Sequence, residues 1–148
     1  MSQTRVRGII PTGQKLVLIH RVKSGEDYYV FPGGGVEGQE RLEDALRREC
    51  FEELGIRIRV GQRLYDLVEG ESMQAFFLCS IESGEIGTGK GPEFTQYKGR
   101  GKYIPEEVDL GRINAIRLLP VEVRDRFSAD LLQTGDINKI PYSQLTRR

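Results

Sequence analysis

The sequence predicts an α/β fold, an α/β/α sandwich built around a mixed central sheet. Three observations predict it. Short stretches of alternating or β-rich character recur along the chain and are separated by turn signals. One segment with helical apolar periodicity spans residues 40–54 and is stopped by Gly55. A second helical segment, residues 121–132, follows Pro120. Strand pairs with a helix for each face give a three-layer sandwich.

In chain order, residues 5–10 and 15–21 are strands joined by Pro11, Thr12 and Gly13, a turn signal. Residues 28–31 form a short strand running into Pro32 and a glycine triplet. After the helix, residues 56–68 and 72–81 are strands, the second placing Met73, Ala75, Phe77, Cys79 and Ile81 on one face. Residues 114–119 are a further strand leading to the second helix. Residues 134–148 are polar and read as a loosely packed tail, within a single domain over 1–148.

At 148 residues the chain can bury a core of its own. Its 22 basic and 22 acidic residues balance, which argues against duplex nucleic acid or an anionic membrane as partner. No apolar run reaches a membrane span, and residues 1–10 lack a signal-peptide core. Cys50 and Cys79 stand at no metal-ligand spacing, so free thiols in a reducing cytoplasm are expected. A monomer or a homodimer fits equally.

The first helix carries the chemistry. At about 100° per residue, Leu42, Ala45, Leu46 and Cys50 form an apolar stripe. Glu49 and Glu53 project from its middle, and Glu52 lies at its edge. Carboxylates on a face that is normally buried are costly, and the i,i+4 pair also repels by about 0.2–0.5 kcal/mol. A hard divalent cation resolves both problems. Magnesium is bound by one or two carboxylates, with waters and substrate phosphates completing its shell, so phosphate chemistry follows. Arg48, one turn before Glu52, can orient that carboxylate.

Gly34, Glu40, Arg48, Glu49, Cys50, Glu52, Glu53, Gly55 and Ile56 together reproduce, spacing for spacing, the signature of the Nudix hydrolases. The lead-in Phe31-Pro32-Gly33-Gly34-Gly35 also resembles the family's. Only Cys50 departs, standing where an aliphatic is usual, and Cys packs as a small hydrophobe. The resemblance implies a Nudix-type sandwich, with Glu49, Glu52 and Glu53 as metal ligands and Glu49 alternatively the general base. It further implies the Gly34 carbonyl as a ligand and Glu40 near the metal through water. A later-loop carboxylate such as Glu93 is a further candidate.

The implied reaction is metal-assisted hydrolysis of a phosphoanhydride in a nucleoside diphosphate linked to another group, with Mg2+ replaceable by Mn2+. A nucleoside triphosphate, damaged ones included, is the favoured substrate. Nucleotide sugars, dinucleoside polyphosphates and non-catalytic nucleotide sensing are the alternatives. Arg21 and Lys23 are placed to reach phosphates, Tyr29 to line a pocket, and Phe94 and Tyr97 to stack on a base in a glycine-rich loop. His20, the sole histidine, reads as packing.

Two decoys fall away. Gly33, Gly35 and Gly38 match a dinucleotide fingerprint, but the acids arrive inside the helix rather than after the next strand. Gly84 to Lys90 resembles a phosphate loop, but Gly91 replaces the hydroxyl that would hold magnesium.

Overall fold

A computed structural model of the chain describes residues 3–87 and 101–147. The strands are β1 (Thr4–Ile9), β2 (Pro11–Thr12), β3 (Lys15–Lys23), β4 (Glu26–Val30), β5 (Gly33–Gly35), β6 (Ile56–Glu69), β7 (Ser72–Gly84), β8 (Lys102–Asp109), β9 (Leu118–Leu119) and β10 (Ser143–Thr146). The helices are α1 (Leu42–Leu54) and α2 (Val121–Thr134). One sheet runs β10-β6-β7-β1-β5 and mixes parallel with antiparallel pairs; the other runs β2-β3-β4-β9, with β8 on β3.

Strand alternation builds two cores. On β7, Ala75, Phe77 and Cys79 face the cluster that holds Ala45, Leu46, Cys50 and Leu54 of α1. Phe76 points the other way, into the cluster that holds Val123 and Phe127 of α2. Side chains of successive strand residues leave opposite faces, so the two helices cover opposite sides and the expected α/β/α sandwich is observed. The five-residue stripe foreseen on β7 lies wholly on the α1 side, Met73 and Ile81 at its margins.

The first helix begins at Leu42, two residues later than expected, with Glu43 and Asp44 in its first turn, where the macrodipole favours acids. It ends as foreseen: Gly55 adopts φ 73° and its N–H donates to the Phe51 carbonyl at 3.0 Å. The second helix packs through Tyr65 of β6, whose buried hydroxyl donates to Asp130 at 2.8 Å. Arg126 donates to the other oxygen of that carboxylate at 3.2 Å.

Four expectations need correction. The strand foreseen over residues 114–119 shrinks to β9, preceded by a turn. β8 was not foreseen, because Pro105 and its three acids disguise it; a strand bonded only to β3 lies at an edge, where proline is tolerated. β5 is made of glycines alone. The supposed loose tail is structured: β10 pairs in parallel with β6, Ile140 is buried, and Gln62 donates to the Ile140 carbonyl at 3.0 Å. Arg147 closes the segment onto Glu122 at 2.6 Å.

Gly33 fixes β5 against β1. Its φ is +143°, and a Cβ there would lie 1.9 Å from the Val6 carbonyl oxygen. Gly33→Ala is therefore expected to lower stability by about 1–3 kcal/mol, read as a fall in the urea midpoint without loss of helical circular dichroism.

Candidate active site

Helix α1 brings Glu49 and Glu53 into the narrow space beneath β5. Both are nearly covered, at 9% and 6% exposure. The Gly33 N–H donates to Glu53 Oε1 at 2.7 Å, a charge-assisted bond that offsets part of the burial cost. Gly34 stands over the other carboxylate: a Cβ on it would lie 2.0 Å from Glu49 Oε2. The glycine strand therefore exists to let backbone approach acid.

Arg48 ties the site together, keeping the expected contact with Glu52 and adding a closer partner that was not foreseen. Its Nε donates to Glu40 Oε2 at 2.9 Å and its Nη2 to Glu40 Oε1 at 3.1 Å, a two-pronged pair. Nη2 also donates to the Gly35 carbonyl at 3.0 Å. Nη1 lies 3.5 Å from Glu52 and 3.7 Å from Glu49. The hydrogen bond from Arg48, followed by that from the Glu37 N–H, holds the Glu40 carboxyl below its ordinary pKa. The guanidinium is correspondingly pushed up, first by Glu40. Glu40 thus presents both oxygens to Arg48, and its link to the site runs through that side chain.

The donors fit a hard cation. Two covered carboxylates meet a strand with no side chains, and Glu52 flanks them. Among the described residues no three His, Cys, Asp or Glu side chains are grouped to hold an ion unaided. Backbone, water and substrate oxygens must supply the rest, which is magnesium's habit. Cys50 is no competitor: burial first, then the Glu53 charge, pushes its thiol well above the usual value. Cys79 is pushed up by burial to about 12.

The other foreseen residues scatter. Arg21 lies 3.8 Å from the Tyr103 ring centre and 5.8 Å from that of Tyr28, and its charge acts on Arg7, which also feels Glu53 and Glu49. Lys23 is exposed at the end of β3. Tyr29 stacks on His20 with ring centres 4.4 Å apart and donates to Glu106 at 3.4 Å. Glu93, Phe94 and Tyr97 lie outside the described residues. Arg7 escaped attention, yet strand alternation sets it on the face of Ile9, and a cation on an apolar strand face is the signal that could have found it. It donates to the Phe31 carbonyl at 3.1 Å and to Gln74 at 3.4 Å.

Sequence reading also missed what His20 does. Nδ1 lies 2.5 Å from Glu106 Oε2, and Nε2 contacts Asp27 Oδ1. Only the imidazolium donates from both nitrogens. Burial opposes that form, but the hydrogen bonds to Asp27 and Glu106 outweigh it and raise the pKa above its ordinary 6.5.

Residues 2–121 match the NUDIX domain family. The chain belongs to this family of pyrophosphohydrolases. Over 42 residues it is 55% identical to the nucleoside triphosphatase NudI of Escherichia fergusonii, a match covering 24% of this chain and only 30% of that protein. Among solved structures it resembles an ADP-ribose pyrophosphatase from Streptococcus suis (TM-score 0.66, 15% identity, 98% of each chain covered). It also resembles a NUDIX hydrolase from Nitrosomonas europaea (TM-score 0.74, 14% identity, 98% of this chain and 78% of that one). A MutT structure described for Aliivibrio salmonicida and Vibrio cholerae gives a TM-score of 0.64 at 21% identity, covering 90% and 99%. At these identities the structural likeness is one of fold. No helix among the described residues is long and apolar enough to cross a membrane.

Two predictions follow from this geometry. Gly34→Ala has no φ strain and meets only the end of a side chain, so it should shift stability by under about 1 kcal/mol while displacing the Glu49 carboxylate, visible in a crystal structure of the variant. For His20, a folded pKa above the unfolded one means stability that is complete below about pH 6.5 and lost as pH rises through the folded value. The gap in urea midpoint between the wild type and His20→Gln should therefore narrow above that pH.

Proposed function

We propose that this protein hydrolyses a phosphoanhydride bond in a nucleoside diphosphate linked to another group, with a nucleoside triphosphate, damaged ones included, as the favoured substrate. The observation that carries this reading is the meeting of Glu49 and Glu53 with the bare backbone of Gly33 and Gly34. The local identity to a nucleoside triphosphatase supports the choice of substrate.

Glu49, Glu53 and the flanking Glu52 would hold Mg2+, or Mn2+ in its place, with the Gly34 carbonyl as a further oxygen donor. Such an ion supplies charge neutralisation at phosphate oxygens and acidifies water. The protein's own groups do the remainder. Glu49 would either join the metal ligands or, as general base, take the proton of the attacking water. Arg48, locked by Glu40 and the Gly35 carbonyl, fixes the direction of its acidic neighbours. Gly33 and Gly34, lacking side chains, would let their backbone stand close to the carboxylates and hence to the metal and phosphates. Arg21 and Lys23 would meet the phosphates' outer charge.

The test is a panel of nucleoside triphosphates, nucleotide sugars and dinucleoside polyphosphates incubated with Mg2+, with products weighed by mass spectrometry in heavy-oxygen water. Label should appear in a phosphate product, and chelation should abolish turnover until Mg2+ or Mn2+ is returned. Glu53→Gln keeps an acceptor for the Gly33 N–H, so the fold should survive while turnover falls by about 100-fold or more. A Glu53→Gln protein with normal turnover would overturn the assignment.

A further inference from the structure

Strand alternation puts Arg21 on the same face of β3 as Val17 and Ile19. Both belong to the cluster that holds Ala45, Leu46, Cys50 and Leu54 of the carboxylate helix. Directly opposite Arg21 stand Tyr28 on β4 and Tyr103 on β8, and cross-strand partners of this kind share a face with their Cβ atoms about 5 Å apart. The three side chains form a row. The Arg21 guanidinium carbon lies 3.8 Å from the centre of the Tyr103 ring and 5.8 Å from that of Tyr28. Tyr28 is shared, since Arg117 approaches its ring at 5.6 Å while pairing with Glu26 at 3.2 Å.

The two ring contacts of Arg21 are unequal. A cation is attracted to a ring face out to about 6 Å, so Tyr28 acts at the limit of that range, whereas Tyr103 is in face contact. Tyr103 is therefore the ring that fixes Arg21. Its own place is fixed by backbone and packing. Two residues earlier, Gly101 has φ +75°, and a Cβ there would lie 2.2 Å from the Val22 carbonyl oxygen; Tyr103 itself packs against the cluster beneath α1.

A guanidinium held by its face differs from one held by an ion pair. Its five N–H donors lie in the plane, so a ring against the face takes none of them and leaves the fork able to pair with two oxygens at once. The charge of Arg21 falls on the same buried Arg7 that feels Glu53 and Glu49, which puts the row within electrostatic reach of the carboxylate site.

We propose that Tyr103 is a positioning residue for phosphate binding: its ring holds the face of the Arg21 guanidinium, so that the in-plane donors meet the substrate's phosphates in one orientation. Tyr103 acts through Arg21 and touches no substrate. This inference rests on the phosphate-binding half of the proposed function and not on the hydrolytic half.

The test compares Tyr103→Leu, which removes the ring, with Tyr103→Phe, which keeps it. With Mg2+, Tyr103→Leu should raise KM for the best nucleoside triphosphate about 3- to 30-fold with kcat held within about twofold, and Tyr103→Phe should restore the wild-type KM. Arg21→Lys keeps the charge but loses the plane, so adding Tyr103→Leu to it should raise KM no further. Calorimetric titration with triphosphates of the four common nucleosides, carrying methylene in both bridges, reads the same effect as Kd without hydrolysis. An unchanged KM and Kd in Tyr103→Leu, a rise that Tyr103→Phe does not rescue, or losses that add in the double variant would overturn the inference even where hydrolysis is found. The expected Kd pattern without hydrolysis of any phosphoanhydride would sustain it and overturn the proposed reaction. Failure of the wild type both to bind the analogues and to hydrolyse would overturn both.

Discussion

Two carboxylates must be buried on the apolar face of one helix, and the rest of the structure is arranged around that demand. The mutual repulsion of Glu49 and Glu53 is only about 0.2–0.5 kcal/mol, small beside the roughly 1.5–3 kcal/mol gained by burying each of Leu46 and Leu54. Desolvation is the larger opposing effect, at several kcal/mol per ion. The Gly33 N–H offsets part of it at Glu53, and the Glu40–Arg48 pair places a fixed positive charge alongside. The helix docks because its leucines outweigh the repulsion.

The same demand explains the glycines. A strand of side-chain-bearing residues at β5 would collide with Val6 on one side and with Glu49 on the other. Sheet pairing and acid placement are thus two readings of one steric fact. Because β1 pairs with β5 and β7 at once, the position of the carboxylates is referred to the central strands rather than to a loop, and such placement on rigid elements keeps a site accurate.

How much of this was legible in the sequence depended on how local the cause was. The stripe on α1, the stop at Gly55 and the one-faced stripe on β7 follow from periodicity and one left-handed residue, so they could be read directly. The convergence of Glu49 and Glu53 on one face was equally readable. The contact of Arg48 with Glu52 was readable too, but its closer pairing with Glu40 was not, because the turn at residues 36–41 brings Glu40 back to it. β5, β8 and β10 were hidden for a related reason: glycine, proline and polar residues become strands there because neighbours need pairing, a long-range cause that overrides propensity. His20 and Arg7 took much of their meaning from Glu106 and Gln74, which lie distant in the chain.

The two thiols add a practical property. Cys50 and Cys79 sit in the layer between α1 and β7, and their suppressed ionisation leaves almost no thiolate for an oxidant or alkylating reagent to attack. Their modification has to wait for that layer to part. The enzyme therefore carries its own chemical clock, in which the rate of cysteine capture reports how often the carboxylate helix lifts from the sheet.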